Sequence, residues 1–278
     1  MAKALFICGN KRSGTSHLVR LLNLHPQVFL SHESDIIWIL YQFHNRMPFT
    51  PYPEDSMRGM QDALNRCGHL LDGSKSPVEN FFAFQSHLME NGSSWLPAMK
   101  KTCVSWVGDK KPFQYADPEL KGFILDNFHE ANFIHLVRHP FSVAASAAEF
   151  NKTPDGDFWQ GLSLEAMVGK WTENEKKVLQ LKEDTRAHVI DIKYEDLCKD
   201  TGTELQRIFR FLDLNVDDTI IKKAVRKTYY RKKNIPDIRL GQETLSIMEL
   251  YGYVPHDVTK PYPKRKAINV YWRKKIKL

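Results

Sequence analysis

With 278 residues, 42% of them hydrophobic, the chain is long enough to bury a sizeable core and fits one domain spanning 1–278. No stretch approaches the roughly 18 consecutive apolar residues of a membrane helix, and the run Ala4-Leu5-Phe6-Ile7-Cys8 is too short for a signal-peptide core. The expectation is a cytoplasmic protein without a membrane span. The net charge of +7 is concentrated: from Lys222 onward sixteen Lys and Arg stand against four acids, a local +12 that leaves −5 on the preceding 221 residues. This basic segment, about 222–278, implies an anionic partner or a solvated surface. Charge alone does not choose among a nucleotide phosphate, an acidic acceptor, nucleic acid and a membrane surface. Cys8, Cys67, Cys103 and Cys198 are widely spaced with no C-x-x-C pair, which speaks for reduced, mostly buried thiols rather than a zinc site or a disulfide framework.

In chain order, the apolar pattern predicts a strand over 4–8, a helix over 14–24, a short helix near 36–41, and helices over 55–66 and 78–90. A strand over 103–107, a helix over 118–128, a strand over 132–137 and helices over 141–150 and 164–182 follow. A strand over 187–192 and a helix over 203–212 close the series. Strands alternating with helices predict an α/β fold of three layers, a mainly parallel central sheet with flanking helices of the P-loop nucleotide-binding type. Ligands collect at the carboxyl ends of such strands.

The first strand leads into Gly9-Asn10-Lys11-Arg12-Ser13-Gly14-Thr15-Ser16, which opens the first helix. Two glycines permit a tight turn, and successive N–H groups with the helix N-terminus face an anion. Against G-x-x-x-x-G-K-[ST] the spacing fits except that Thr15 stands where the lysine of a nucleoside triphosphatase should be. The strand Phe133-Ile134-His135-Leu136-Val137 ends in Arg138 rather than in a metal-holding aspartate. A donor with a single 5′-phosphate bearing a transferable group suits this loop better than ATP or GTP. Arg138 can make bidentate bonds to a second phosphate, and Ser146, eight residues later on the next helix, can add a hydroxyl.

These residues resemble the superfamily of sulfotransferases dependent on 3′-phosphoadenosine-5′-phosphosulfate (PAPS), whose phosphosulfate loop reads P-[KR]-[SA]-G-T-[ST]. Here Arg12-Ser13-Gly14-Thr15-Ser16 matches, with Lys11 in place of the proline. The run from Arg12 to His25-Pro26-Gln27-Val28 is closest to the tyrosine-protein and glycan sulfotransferase branch. The resemblance implies that Lys11, Arg12, Ser13, Gly14, Thr15 and Ser16 bind the 5′-phosphosulfate. By the R-[DN]-P-x-[DE]-x-x-x-S pattern, Arg138 and Ser146 hold the 3′-phosphate, with His139 and Ser142 departing from it. Tyr194, in Tyr194-Glu195-Asp196-Leu197, lies near the nucleotide or serves as a buried structural tyrosine.

Sulfonyl transfer needs a base, one or two cations and backbone N–H groups, with PAPS as the donor, 3′-phosphoadenosine-5′-phosphate (PAP) as the product and no required metal. The resemblance places a catalytic glutamate at Glu33, 21 residues after Arg12. His32 competes, because an unperturbed imidazole titrates near neutrality. A lysine at a strand's carboxyl end, and the G-x-K-[TD]-P segment with a catalytic lysine in similar sequences, point to Lys110 in Val107-Gly108-Asp109-Lys110-Lys111-Pro112 as the catalytic cation, with Lys111 as the alternate. The look-alike Gly73-Ser74-Lys75-Ser76-Pro77 lacks a preceding strand and ranks lower.

Two other readings compete: a kinase or other triphosphatase, and a non-catalytic nucleic-acid module using 264–277 with Tyr271 and Trp272. Neither is preferred, and no nucleic-acid partner is expected. Residues 36–99 are read as a helical insertion that shapes the acceptor site, although Trp38, Tyr41 and Phe43 read first as core. The basic segment points to an acidic acceptor, or Lys227, Arg231 and Lys232 serve the 3′-phosphate. Glycan, phenol, peptide and small metabolite all stay open as acceptors.

Overall fold

β1 (Lys3–Gly9) sends Ala4, Phe6 and Cys8 to one face and Leu5 and Ile7 to the other, all buried, as a strand covered on both sides must. In the computed structural model, which describes residues 2–53, 55, 57–153, 159–228 and 238–254, it is the middle strand of five. The others are β2 (Val28–His32), β3 (Trp106–Lys110), β4 (Asn132–Val137) and β5 (His188–Lys193), in the order β2-β3-β1-β4-β5. Every pairing is parallel, and the three-layer α/β expectation is borne out.

The helices are α1 (Thr15–Leu22), α2 (Ile36–His44), α3 (Met57–Cys67), α4 (Pro77–Asn91), α5 (Pro118–Asn127) and α6 (Pro140–Phe150). α7 (Leu164–Glu183), α8 (Tyr194–Lys199), α9 (Thr201–Phe211), α10 (Asp218–Lys227) and α11 (Gln242–Leu250) complete the described set. On one face, α2, α3, α4, α5 and α7 pack around Phe6, whose ring lies 5.1–5.7 Å from those of Tyr115, Phe81, Phe128 and Phe133. On the other, Leu5 and Ile7 meet Leu18 and Leu22 of α1, Leu205 and Phe209 of α9 and Ile220 of α10. Each such side chain contributes about 1.5–3 kcal/mol when fully buried. No helix among the described residues is long and apolar enough to cross a membrane.

Two strands depart from the sequence reading. β2 was not foreseen as a strand, only as the return from the first helix. β3 lies three residues beyond the expected 103–107, because its last residues, Gly108-Asp109-Lys110, are buried yet not apolar. Three helices, α8, α10 and α11, were not foreseen either. Cys8 and Cys67 are buried, but Cys103 is exposed, since the strand that was to cover it starts later.

The order matters for function. After β1 the chain moves to β2 and β3 on one side, then crosses β1 to build β4 and β5. That reversal opens a crevice at the carboxyl end of β1, flanked by the ends of β3 and β4.

Candidate active site

The loop from Gly9 to Ser16 turns in that crevice. Gly9 (φ 138°) passes so close to β4 that a Cβ would sit 2.4 Å from the Leu136 carbonyl oxygen. Gly14 (φ 100°) runs over Tyr194, whose ring a Cβ would meet at 2.5 Å. Only glycine fits either place. Ser13 Oγ donates to the Asn10 carbonyl at 2.6 Å and closes the loop on itself. Gly14 caps α1 without a side-chain hydrogen bond and no acid stands in the first turn, so no side chain of its cap or first turn compensates the positive end of the helix.

Arg138 follows the last residue of β4, 5% exposed, with its guanidinium 4.3 Å over the Tyr194 ring and Nη1 donating to the Arg12 carbonyl at 3.0 Å. Arg12 packs its guanidinium 4.4 Å over Phe150, and its Nε reaches Ser146 Oγ at 3.4 Å. Ser146 is buried in the second turn of α6. Arg12, Arg138, Ser146 and Tyr194, expected from three separate motifs, therefore meet. Burial, and after it the like charge of Arg138, pulls the Arg12 guanidinium down from its usual range. Arg138 Nε is buried and has no hydrogen-bond partner. Two crowded cations, one with an orphaned donor, beside an uncapped helix N-terminus fit a phosphorylated anion.

The second cluster lies where β2 and β3 end. Lys110 is fully buried, and its Nζ bonds the Glu33 carboxylate, whose side chain is 35% exposed. Register brings them together: His32 pairs with Lys110, and the Glu33 N–H donates to the Lys110 carbonyl at 2.9 Å. Burial alone would raise the Glu33 carboxyl, but Lys110, followed by His32, outweighs it and holds Glu33 well below the ordinary carboxylate range. Burial lowers Lys110, and Glu33 opposes that. The carboxylate is thus ionised and open on one side.

His32 Nε2 lies 2.7 Å from Ser16 Oγ. Burial, then the charge of Lys110, depresses the imidazole to about 3, so the near-neutral pKa that recommended it as a base does not survive its surroundings. Lys111 points elsewhere, 2.7 Å from Asp35 and 2.9 Å from Asp55. Lys11 also turns to Asp55, at 2.7 Å, leaving its backbone rather than its ammonium at the loop. Lys75 is half exposed and bonded to Asp72. Its motif is a helix start: Ser76 accepts from the Glu79 N–H and donates its own N–H to the Glu79 carboxylate, with Pro77 in the first turn.

Trp95 is 47% exposed, its ring 5.8 Å from that of His32 and 5.8 Å from the guanidinium of Arg58. Trp38 is core, stacked on Tyr41 at 5.5 Å. A cavity of about 310 Å³ lies between Trp38, Tyr52, Phe113 and Asn174, and its lining includes neither Arg138 and Ser146 nor Glu33 and Lys110. Arg231, Lys232, Tyr271 and Trp272 lie outside the described residues.

The sequence reading missed Asn10, Glu175 and His135 as parts of the site. Asn10 Nδ2 donates to Glu175 Oε1 at 2.7 Å beneath the loop. A signal existed: Glu175 interrupts the buried stripe Met167, Trp171, Val178, Leu181 of α7, and a carboxylate there requires a partner.

A family model described as "Sulfotransferase family" matches residues 4–218. Among curated proteins, Sulfotransferase 1C2 of Oryctolagus cuniculus is 26% identical over 135 residues, 44% of this chain and 45% of the relative. The Homo sapiens protein of the same name is 24% identical over 117 residues, 38% of this chain and 39% of the relative, so each match spans less than half of the relative's length. Among solved structures, the sulfotransferase domain from the curacin biosynthetic pathway superposes with a TM-score of 0.60 at 17% identity, covering 91% of this chain and 99% of that one. The sulfotransferase domain from the Synechococcus PCC 7002 olefin synthase gives 0.56 at 18% identity, covering 91% and 96%.

Proposed function

The chain belongs to the sulfotransferase family, and from that premise we propose that it moves a sulfonyl group from PAPS to a hydroxyl or amine of an acceptor held beside Glu33. The observation that carries this reading is the convergence of the Gly9–Ser16 loop with the Arg12, Arg138 and Ser146 cluster on one side and the Glu33–Lys110 pair on the other. When bound, the donor supplies an activated sulfonyl group whose bridging oxygen gathers negative charge as the bond breaks.

The chain's own residues then have distinct tasks. The loop N–H groups with Thr15 and Ser16 bind the 5′ end, and Arg138 with Ser146 binds the 3′-phosphate. Tyr194 supports the Arg138 guanidinium from below. Glu33, partly open to solvent, takes the acceptor's proton, and Lys110 supplies positive charge to the leaving side. His32 orients Ser16 through their hydrogen bond.

A carboxylate base in this position favours the tyrosine-protein and glycan branch for the finer assignment. We assign the acceptor side to residues 36–99 within a single domain of 1–278, with Trp95 and Arg58 at its mouth. The basic segment favours an acidic acceptor. A screen of glycans, phenols, lipids and acidic peptides with labelled PAPS tests the assignment: label should pass to one class and fail to pass in Glu33→Gln. Transfer that is undiminished in Glu33→Gln would overturn the assignment of the base.

A further inference from the structure

The loop is braced from beneath by buried charges that the transfer chemistry does not use. His135, on β4, is fully buried. Its Nδ1 is hydrogen-bonded to Asp191 Oδ1 on β5 at 2.8 Å, and its Nε2 lies 3.2 Å from Glu175 Oε2 on α7, a charge contact with no hydrogen bond between the two atoms. Glu175 is also fully buried, and its other oxygen accepts from Asn10 Nδ2 at 2.7 Å. Asp191 is held on its far side by Lys182 Nζ at 2.6 Å. The remaining titratable groups on the imidazole's surroundings are Tyr251 of the segment after α11, with its ring 5.7 Å away, and the buried Cys8 thiol of β1.

With Asp191 paired to Lys182, His135 is the group placed to balance a Glu175 carboxylate. Burial by itself pulls the imidazole down, but Glu175 and then Asp191 outweigh it and raise His135 to about 9. The same helix also reaches the second loop, since Trp171 Nε1 donates to the Arg138 carbonyl at 3.0 Å and Asn174 Nδ2 donates to Asn10 Oδ1 at 2.9 Å. α7 therefore grips both sides of the anion site.

We propose that the His135–Glu175 ion pair is a positioning device for the anion loop: the imidazolium neutralises Glu175 where it holds Asn10, and Asn10 fixes the backbone N–H groups that face the donor. This rests on reading the loop as the PAPS cradle. Loss of the His135 proton leaves an uncompensated carboxylate in the core, which is relieved by drawing Glu175 away from Asn10 or by admitting water. Either change slackens the loop, so donor affinity falls with rising pH.

The test is calorimetric titration of PAP between pH 7.5 and 9.8 on wild type, Glu175→Gln and Asn10→Ala, alongside an NMR titration of the histidine rings. The phosphates of PAP are fully ionised throughout this range. Wild-type Kd should rise at least about fivefold, with the midpoint of the His135 resonance, and Glu175→Gln should move that midpoint to lower pH. Asn10→Ala should bind about tenfold more weakly at pH 7.5 and show no alkaline limb. If Glu175→Gln does not fold, Asn10→Ala alone decides, because its ion pair is intact. PAP binding that is unchanged across the range in wild type, or the same alkaline limb in Asn10→Ala, would overturn the proposal. Failure of wild type to bind PAP at pH 7.5 would instead overturn the cradle reading beneath it.

Discussion

Glu33 and Asp35 both take left-handed backbone conformations, each with φ 52°, where β2 runs out. Such a conformation costs a non-glycine residue on the order of 1 kcal/mol, and each side chain is tied down by a lysine: Glu33 by Lys110 and Asp35 by Lys111. The strain aims the two carboxylates in different directions, one toward solvent beside the crevice and one into the core. From this division, Glu33→Gln and Lys110→Ala should each lower kcat by about 10²-fold or more while leaving PAP affinity nearly unchanged, as read by steady-state kinetics beside calorimetry. Near-normal turnover in either variant would assign its role to another residue. Both residues were legible in the sequence through the motifs around them. Their mutual ion pair was not, because it depends on the register of two strands, one of which was unread and the other misplaced.

The misplacement of β3 shows why apolar patterning alone fell short. The pattern stops at Val107, yet the strand continues through Gly108, Asp109 and Lys110. Asp109 is buried because the Ser31 and Tyr115 hydroxyls both bond its carboxylate, and Lys110 is buried because Glu33 bonds it. Partners distant in sequence satisfy these charges, which no local window reveals. β2, only five residues long, gave a window too short to separate from a returning loop. β1, β4, β5 and most helices, by contrast, were legible to within a few residues. The same logic separates the two lysine motifs. Lys75 stands in a capping box on an exposed helix start, so Ser76→Ala should cost about 1 kcal/mol in a denaturant titration and Lys75→Ala should leave turnover unchanged. A large loss of activity in Lys75→Ala would restore the motif that the fold sets aside.

The whole molecule places its chemistry at the crossing point of a five-stranded sheet and its charge balance underneath. His135 titrates at a pKa raised above that of an unfolded histidine, near 6.5. Its contribution to stability is therefore fully present below about pH 6.5 and lost as pH rises through about 9. Thermal unfolding should show Tm falling between pH 7 and pH 10, with a shallower fall in His135→Gln, and equal slopes in the two proteins would contradict the balance described. PAP at one hundred times its Kd should add about 2.7 kcal/mol to stability by mass action. The central claim, that this crevice holds PAPS through the loop and Arg138, is tested most directly by calorimetric titration of PAP onto wild type and Arg138→Ala at pH 7.5 with EDTA present. The account predicts one-to-one binding in wild type and an affinity at least about 10²-fold weaker in Arg138→Ala. Unchanged affinity in Arg138→Ala, or binding of magnesium ATP in place of PAP, would contradict it.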